Sequence, residues 1–383
     1  MGLFENRRLY SSPANSENKV KKQLPIWFMR QAGRYHSHYQ NIKKKYDFVN
    51  MCKRPEVAAE VTLGPVLEFD LDAAILFSDI LFPLEHLGMG LRFDDRLGPI
   101  LNKKIKSIDD SLVLEKNFQT ASDTNTTSNF FKFQGEALEI IKNKLPPHIT
   151  LIGFVGAPFT LYAYALEESL SKGRDLLEAK KGLYDGRYEH FTTKLLLPLL
   201  FKNISVQIEA GAEAIALFDT ASGYLNYFDY QQFLVPPLKE LLYKVKAKYS
   251  NTKIIYYSKY TTEDQLKALA LAITSEIDVL AIDFRFDLLN IFNNFIANNN
   301  FQNIKYIQGN IDPFWPMLDW EILKSKIDNL YAYLERNQST NSDLSYMFDR
   351  WIFGLGHGIL KETPEENIKK LVKYIQEKFA YNI

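Results

Sequence analysis

Short apolar runs separated by helical patterns constrain the fold of this chain more than any other feature. Each run is rich in β-branched or aromatic residues, and amphipathic segments lie between most of them. Continuous apolar strands that alternate with helices are typical of a parallel sheet buried on both faces. Eight such runs predict an α/β fold, a single-domain (β/α)₈ TIM barrel with polar loop insertions. The runs are 26–29, 73–77, 150–155, 214–218, 253–257, 279–282, 304–307 and 351–353.

The segments between these runs carry helix start and stop signals. Pro55 stands where a proline suits the first turn of a helix. Residues 185–210 have a long apolar periodicity that ends before Gly211, a good helix stop. Thr262 opens a helical pattern that runs to about residue 275, and 363–379 begins with a cap residue, a proline and two acids.

Two polar segments interrupt the alternation of strands and helices. Residues 117–129 and 336–345 are rich in Ser, Thr and Asn, so we expect solvated loops there. Neither is a linker that would divide the chain. We therefore expect a flexible N-terminal segment over 1–24 and one barrel domain over 25–383.

The charge balance and the cysteine content exclude several classes of partner and site. Lys and Arg together number 46, as do Asp and Glu, so the net charge is zero and does not indicate a nucleic-acid partner. No apolar run reaches the ~20 residues that span a bilayer, so no membrane partner is expected. Cys52 is the single cysteine, which excludes an internal disulfide and a Cys-rich metal site. The histidines have no metal-ligand spacing, and we expect no metal.

Two arginines four residues apart follow the first apolar run. Residues 25–35 read Pro-Ile-Trp-Phe-Met-Arg-Gln-Ala-Gly-Arg-Tyr, and a bend at Gly33 would aim Arg30 and Arg34 into one space. Two planar guanidinium groups suit a ligand that carries several carboxylates or phosphates. The alternative is a surface pair that bridges to local acids, which would stabilise the fold little.

Polar residues or glycines follow nearly every predicted strand. Because the active site of a barrel is built at the carboxyl ends of its strands, this pattern predicts a cleft for a polar, anionic ligand. The residues are Arg30, Ser78-Asp79, Gly156, Asp219-Thr220, Ser258-Lys259, Asp283, Gly309-Asn310 with Asp312, and Gly356-His357-Gly358.

Asp79 and His357 are the most informative of these residues. Asp79 lies between apolar neighbours, so an inward carboxylate would be partly desolvated and would need a cation or N–H donors. Its alternative role is a helix N-cap. His357 lies between two glycines, which favours a role in the site, although a lone histidine is more often structural. Gly153 and Gly156 would let a flat ligand approach the backbone closely.

Several segments resemble the uroporphyrinogen decarboxylase family, in the order that the family has them. The resemblance runs from residue 25 to about residue 379. It implies a cofactor-free (β/α)₈ enzyme of haem synthesis, usually a homodimer, that converts the four acetate side chains of uroporphyrinogen III to methyls and releases four CO₂. The segments are Met-Arg-Gln-Ala-Gly-Arg-Tyr at 29–35, Phe-Ser-Asp-Ile-Leu at 77–81 with Leu-Gly-Met at 87–89, Gly-Phe-Val-Gly-Ala-Pro-Phe-Thr-Leu at 153–161, Gly-Asn-Ile-Asp-Pro at 309–313 and Leu-Gly-His-Gly-Ile at 355–359.

The resemblance also implies the functional residues, by motif position. Asp79, Arg30 and Tyr164 would be catalytic. The same three residues would bind substrate together with Arg34, Thr220 and His357.

This sequence departs from the family pattern at a few positions. Thr220 stands for a serine and keeps the hydroxyl, whereas Phe159 stands for a tryptophan and loses an N–H donor. Gly354 stands for an asparagine, which affects one hydrogen bond near His357. The polar segment 117–129 is peculiar to this chain.

The implied reaction explains the residue types. Protonation of a pyrrole ring carbon creates a cation that takes up the electrons of the breaking C–C bond, so the reaction needs no cofactor. Asp79 would stabilise that cation, and Arg30 and Arg34 would pair with substrate carboxylates. Tyr164 and Thr220 would orient a propionate or acetate of the substrate, and Tyr164 would alternatively polarise Asp79. His357 would bind a carboxylate, and its alternative role is proton transfer. The proton donor stays open between Arg30, a water that it holds and a carboxylate relay, because an arginine stays protonated.

Two other functions fit the same scaffold. A zinc- or cobalamin-dependent methyltransferase needs a thiolate and histidine zinc site, which Cys52 alone cannot supply. A non-catalytic tetrapyrrole-binding protein would not need the intact Arg30, Arg34, Asp79 and Tyr164. The family is cytosolic in animals and plastid-housed in plants and some parasites. We therefore expect a cytoplasmic protein or, alternatively, one in a plastid or plastid-derived organelle after loss of a transit peptide.

Overall fold

The computed structural model describes residues 3–4, 9–11, 20–94, 98–121, 124–167, 175–273, 275–296, 304–337 and 344–382 of the 383. Its strands are β1 (Leu9–Ser11), β2 (Val20–Lys22), β3 (Ala73–Ile75), β4 (Leu91–Asp94), β5 (Gly98–Leu101), β6 (Thr150–Gly156), β7 (Ala214–Asp219), β8 (Lys253–Ser258), β9 (Val279–Ala281), β10 (Tyr306–Ile311), β11 (Trp351–Leu355) and β12 (Tyr381–Asn382).

The helices connect these strands and cover the sheet. They are α1 (Ser37–Lys43), α2 (Phe48–Lys53), α3 (Pro55–Phe69), α4 (Phe82–His86), α5 (Ile108–Ala121), α6 (Thr124–Phe130), α7 (Lys132–Lys144), α8 (Pro158–Leu166), α9 (Leu177–Gly182), α10 (Arg187–Phe191), α11 (Leu197–Glu209), α12 (Tyr227–Asp229), α13 (Val235–Lys248), α14 (Glu263–Ala272), α15 (Leu288–Phe295), α16 (Trp320–Asn337), α17 (Leu344–Phe348) and α18 (Glu365–Lys378). Short π-helical turns over Thr192–Leu196 and Tyr230–Leu234 join α10 to α11 and α12 to α13.

A curled parallel sheet of seven strands lies at the centre of the molecule, in the order β11-β10-β9-β8-β7-β6-β3. Seven of the eight predicted runs supply these strands. Their residues are buried almost throughout, and every residue of β6 is buried. The sequence of these strands is continuously apolar because helices cover the outer face while strand side chains fill the inside.

The remaining predicted run, 26–29, is not a strand within the described residues. Ile26 makes an isolated parallel bridge with Phe353 of β11, whose N–H donates to the Pro25 carbonyl at 2.8 Å. On the other side the Ile26 carbonyl accepts from the N–H of Asp72 at 2.9 Å, and the Asp72 carboxylate accepts from the N–H of Ile26 at 2.7 Å. The segment thus contacts both edges of the sheet, but a side chain makes part of its pairing.

β10 extends further than the sequence predicts. The apolar run ends at residue 307, whereas the strand continues to Ile311 and includes Gly309 and Asn310. Asn310 can lie inside a buried strand because its amide donates to the backbone carbonyls of Asp283 and Phe286 at 3.1 and 2.8 Å.

The prediction of a loop over 117–129 is wrong, because α5 and α6 cover most of this segment. Its aromatic side chains supply the face that these helices bury. The ring centroids of Phe118 and Phe130 lie 6.0 and 4.6 Å from that of His86, and Thr127 hydrogen-bonds with His86 Nε2 at 3.1 Å. The second predicted loop, 336–345, is helical at both ends, and residues 338–343 lie outside the described residues.

The helix signals agree with the structure where they are described. Pro55 begins α3, and Thr262 and Gln265 form a capping box at the start of α14. Within the described residues, no helix is both long enough and apolar enough to cross a bilayer.

The expected flexible segment 1–24 is described only in part. β1 pairs with β2 in antiparallel fashion, and β12 from the other end of the chain pairs with β2. Leu3 and Phe4 are buried. Residues 5–8 and 12–19 lie outside the described residues.

Candidate active site

Arg30 lies on a sharp bend at the end of the first apolar run. Its φ is +54°, in the left-handed region that few residues other than glycine adopt. Gln31 holds this bend, since its side-chain amide donates to the Ala73 carbonyl at 3.0 Å and its own carbonyl accepts from the Tyr35 hydroxyl at 2.7 Å. The bend is therefore anchored to β3, and Arg30, not Gly33, takes the unusual backbone conformation.

Gly358 lies directly against the side chain of Arg30. A Cβ atom at this position would lie 2.6 Å from Arg30 Cδ and 2.9 Å from its Cγ. Side chains cannot approach so closely, so glycine is needed here for Arg30 to keep its position.

Asp79 lies beyond the end of β3 and is partly buried. Its Oδ1 accepts from the N–H of Leu81 at 2.8 Å. Burial raises the pKa of Asp79 to about 6, while the Leu81 hydrogen bond and the charge of Arg30 act in the opposite direction. Asp79 is not the N-cap of α4, because Leu81 holds that position.

Tyr164 of α8 belongs to the same group. Burial and the charge of Asp79 raise the pKa of Tyr164 to about 12, and Arg30 opposes this shift. Its hydroxyl is therefore protonated at neutral pH and can donate a hydrogen bond. The ammonium of Lys104 donates to the Tyr164 carbonyl at 2.9 Å and fixes the end of α8. Tyr162 instead is fully buried, and its ring packs at 4.8 Å from that of Tyr188.

His357 faces Arg30 from the loop after β11. Burial and the charges of Arg30 and Lys259 lower the pKa of His357 to about 4, with an opposing contribution from Asp283. The imidazole is therefore neutral at neutral pH. Its Nδ1 lies 3.3 Å from the carbonyl oxygen of Gly358. Positive charge on this side of the site must come from neighbouring residues.

Arg34 and Thr220 are less closely tied to this group. Arg34 is exposed, and no described side chain forms an ion pair with it. Thr220 is partly buried and directly follows Asp219, whose carboxylate accepts from the hydroxyls of Thr160 and Tyr256 at 2.6 and 2.9 Å. Burial raises the pKa of Asp219 to about 6. The electrostatic influence of Arg30 on Asp79, Tyr164 and His357 thus links these four residues, whereas Arg34 and Thr220 are not joined to them.

The glycines of β6 do not serve the purpose that the sequence suggested. A Cβ at Gly153 would lie 2.4 Å from Gln207 Oε1, and a Cβ at Gly156 would lie 2.8 Å from Leu161 Cδ2. Both glycines make room for side chains of the protein itself, so the expected close approach of a flat ligand is wrong here.

Two departures from the family pattern lie in the core. Phe159 is buried, and its ring packs at 6.1 Å from that of Tyr188. A Cβ at Gly354 would lie 2.2 Å from Gln308 Nε2 and 2.7 Å from the Trp27 carbonyl oxygen. The space beside Gly354 is therefore filled by Gln308.

One group of side chains has the donor atoms of a metal site. A nitrogen of His36 and oxygens of Glu68 and Glu365 lie within 4.8 Å of one another. His36 Nε2 already bonds with Glu68 at 2.8 Å, and Glu365 accepts from the backbone N–H of Ser37 at 2.7 Å. Hydrogen bonds within the protein therefore already engage His36 Nε2, Glu68 and Glu365, while His36 Nδ1 is buried without a hydrogen-bond partner among the described residues.

Sequence reasoning did not single out Gln31 or Arg285. Gln31 is a buried amide inside the arginine motif, and a polar residue at such a position is a signal of backbone support. Arg285 lies two residues after Asp283, and this spacing allows a local bidentate pair. The pattern of strand ends includes Lys259 and Asp283 but gives no reason to prefer them.

Comparisons with known proteins identify the family of this chain. The chain matches the family described as Uroporphyrinogen decarboxylase (URO-D) over residues 14–378. A uroporphyrinogen decarboxylase of Thermodesulfovibrio yellowstonii is 36% identical over 356 residues, which are 92% of this chain and 93% of that protein. One of Rickettsia felis is 33% identical over 371 residues, 94% of this chain and 95% of that protein.

A solved structure shares the fold. A methyltransferase from Methanosarcina mazei superposes with a TM-score of 0.67 at 16% identity, over 94% of this chain and 95% of that one. At this identity the likeness concerns the fold alone. The family match and the two relatives establish that the chain belongs to the uroporphyrinogen decarboxylase family.

Proposed function

We propose that this protein converts uroporphyrinogen III to coproporphyrinogen III by removing the carboxyl groups of its four acetate side chains, as a step of haem synthesis. One observation carries the proposal. In a chain of this family, a partly buried carboxylate, Asp79, lies in the field of Arg30 and Tyr164 at the carboxyl ends of the strands.

Each decarboxylation consumes one proton and releases one CO₂. A proton adds to a ring carbon of the pyrrole and gives a cation. The bond between the acetate methylene and its carboxylate then breaks, and its electrons neutralise the ring and leave an exocyclic methylene. A second proton converts the methylene to a methyl, and the ring carbon gives its proton back. The protonated ring is the electron sink, so the step needs no cofactor.

Asp79 is the group suited to stabilise the cation. Its carboxylate is fixed by the N–H of Leu81 and is partly withdrawn from water, which strengthens its attraction to a charge that forms on the ring. Tyr164 is a neutral hydroxyl donor beside it, and Arg30 supplies the positive charge that binds a substrate carboxylate. His357 is neutral and would act as a hydrogen-bonding group.

An anaerobic assay tests the proposal. Uroporphyrinogen III is incubated with the purified protein, the products are oxidised, and the porphyrins are separated by chromatography. Coproporphyrin with four CO₂ per molecule supports the function, and unchanged uroporphyrin contradicts it.

The fold likeness to a methyltransferase raises a second candidate, but Cys52 disfavours it. This thiol is buried, and burial and the charge of Asp79 raise its pKa well above the ordinary value, so it stays protonated. A thiolate ligand for zinc is therefore not available at Cys52. Stoichiometric zinc in the purified protein would favour the methyltransferase.

Removal of Arg34 is expected to weaken substrate binding. Its exposed guanidinium has no described acidic partner and is free to pair with a substrate carboxylate. We expect Arg34→Ala to raise KM roughly tenfold and to reduce its dependence on salt, with a smaller change in kcat. Arg34→Lys keeps the charge but loses the planar guanidinium group, so its KM should lie between those of the wild type and Arg34→Ala. A KM equal to that of the wild type in Arg34→Ala would make Arg34 a surface residue.

The activity is expected to fall as the pH drops through about 6. The pKa of Asp79 is raised to about 6, so its carboxylate becomes neutral below that pH and no longer attracts the ring cation. His357 titrates lower, near 4. Asp219 also has a pKa of about 6, and two variants separate the groups. The acid limb of kcat/KM should persist in Asp219→Asn and vanish from the residual activity of Asp79→Asn. The reverse pattern would assign the limb to Asp219.

We also propose a closed (β/α)₈ barrel over residues 25–383, a homodimer and a cytoplasmic location, with a plastid or plastid-derived organelle as the alternative. The contacts of Ile26 with β11 and with Asp72 support closure of the barrel between β11 and β3. Family membership supports the dimer, and sedimentation measures it. Fractionation of the source cells distinguishes the two locations.

A further inference from the structure

Two cations lie against one aromatic ring on the His357 side of the site. Lys259 Nζ is 4.6 Å from the centroid of the Tyr260 ring, and Arg285 Cζ is also 4.6 Å from it. Lys259 directly follows β8, and Arg285 follows β9 by a few residues. Both side chains therefore start from the carboxyl ends of strands, where Asp79 and Arg30 also lie.

A buried carboxylate holds this arrangement in place. Asp283 is 1% exposed and binds Arg285 through Nε at 3.1 Å and Nη2 at 2.7 Å. The same carboxylate accepts from the backbone N–H of Tyr260 at 2.8 Å. The backbone of Tyr260 has a φ of +63°, in the left-handed region, and this hydrogen bond holds it there. One acid thus positions both Tyr260 and Arg285, so Arg285 needs little further ordering to bind a ligand.

Both cations have donor groups that the described residues do not use. Lys259 has no carboxylate partner among the described residues, and the described contacts of Arg285 with Asp283 leave Nη1 unused. The side chain of Arg285 is 43% exposed. Because Asp283 balances only one of the two cations, the group carries a surplus of one positive charge.

The charge of Lys259 also acts on the neighbouring imidazole of His357. The charge of Lys259 adds to that of Arg30 in lowering the pKa of His357, and Asp283 opposes them less strongly. His357 itself is neutral, so it cannot supply the positive charge that a carboxylate would pair with on this side. Lys259 and Arg285 can.

We propose that Lys259 and Arg285, held around Tyr260, form a second carboxylate-binding subsite for the periphery of the macrocycle. Arg30 and Asp79 engage one part of the ligand, and this subsite engages carboxylates on another part. The identity of the ligand rests on the proposed function, and the subsite itself rests on the charges and contacts above. A purely structural role is the alternative, in which the cations only pack on the ring. An exposed contact of that kind stabilises by about 0.5–1 kcal/mol.

The chain offers matched controls at the amino ends of two strands. Lys248 Nζ lies 4.7 Å from the centroid of the Tyr249 ring, just before β8, and Arg350 Cζ lies 3.8 Å from the centroid of the Tyr346 ring, just before β11. Both repeat the contact of a cation with a ring away from the carboxyl ends of the strands. Lys248→Gln and Arg350→Gln therefore lose the same kind of packing without loss of the subsite.

The experiment measures two quantities in Lys259→Gln, Arg285→Gln and the two controls. One is the KM for uroporphyrinogen III, and the other is the Kd for uroporphyrin I, the oxidised compound with eight carboxylates, from its fluorescence at two salt concentrations. We expect each subsite variant to raise both constants by roughly 5- to 10-fold with a weaker salt dependence, and to leave kcat within about twofold. The controls should match the wild type, and Lys259→Arg should restore most of the affinity.

The outcomes separate the two proposals. If the wild type makes coproporphyrinogen and the subsite variants bind as the wild type does, the subsite is wrong and the function stands. If the wild type releases no CO₂, the proposed function fails, and the Kd values for uroporphyrin still test the subsite. Equal Kd values in all variants, or an equal loss in the controls, overturn it.

Discussion

Asp79→Asn is expected to lower kcat for uroporphyrinogen by about 100- to 1000-fold, the usual effect of removing one preorganised charge that faces a transition state. The amide keeps the shape of the side chain and can still accept the N–H of Leu81. It cannot neutralise the cation on the pyrrole ring. The measurement is the initial rate of coproporphyrinogen formation at saturating substrate. Turnover near that of the wild type would exclude the role of Asp79 in stabilising the cation.

The same variant should be more stable than the wild type at neutral and higher pH. Burial raises the pKa of Asp79 from 3.8 to about 6, so the folded protein holds this proton more tightly than the unfolded chain does. The stability that this group contributes is fully present below pH 3.8 and is lost as the pH rises through about 6. The shift corresponds to at most ~3 kcal/mol, reduced by the partial exposure of the carboxyl.

Asparagine does not ionise, so the folded variant does not lose the stability that the wild type loses when the buried Asp79 becomes charged. The Tm of Asp79→Asn should therefore exceed that of the wild type at about pH 8, and the difference should shrink as the pH falls from about 6 to about 4. A lower Tm at pH 8 would mean that ionised Asp79 is better solvated than its surroundings indicate. It would also make misfolding a competing explanation for lost turnover.

Gly358→Ala is expected to remove most of the activity through Arg30. The added methyl would lie 2.6 Å from Arg30 Cδ, so the arginine must leave its place. Its backbone already has a φ of +54°, and Gln31 ties the bend to β3, which limits compensation by the main chain. We expect kcat/KM to fall by about 100-fold, with a loss of about 1–3 kcal/mol in the free energy of unfolding.

A double-mutant cycle shows whether the effect passes through Arg30. In an Arg30→Ala background, Gly358→Ala should cost little further activity, because the displaced side chain is already gone. Gly33→Ala is a steric control in the same motif, since a Cβ there would lie no closer than 3.6 Å to any neighbour. Additive losses in the cycle would show that Gly358 acts on another part of the site.

The central sheet could be predicted because its seven strands are buried on both faces and therefore have continuous apolar sequences. The run 26–29 is as apolar as the others, but the N–H of Ile26 donates to the carboxylate of Asp72 and not to a backbone carbonyl of β3. A hydrogen bond from the backbone to a side chain produces no periodic pattern in the sequence, so it could not be predicted. The end of β10 was missed for the opposite reason, because Asn310 is polar but finds backbone partners inside the sheet.

The helices over 117–129 show a further limit of composition. Ser, Thr and Asn predict loops when counted alone, but Phe118 and Phe130 decide this case because they pack around His86. Some residues of the candidate site could be predicted from the sequence, and others could not. Asp79 stands out in the sequence because it interrupts an apolar stretch. The group around Tyr260 does not, because it depends on two loop conformations and on one buried acid that neighbouring residues share.

The pairing of β2 with β12 decides where a fusion partner or a surface anchor can be joined to the protein. Lys22 Nζ lies 3.2 Å from Asp349, and the Tyr381 hydroxyl donates to the same carboxylate at 2.7 Å. Asp349 precedes β11, so β2 and β12 meet on the face opposite the carboxyl ends of the strands. A fusion partner or surface anchor joined near residue 20 or residue 382 would leave the carboxyl ends of the strands facing solution. A short peptide between these residues would also allow new termini to be opened in a distant surface turn.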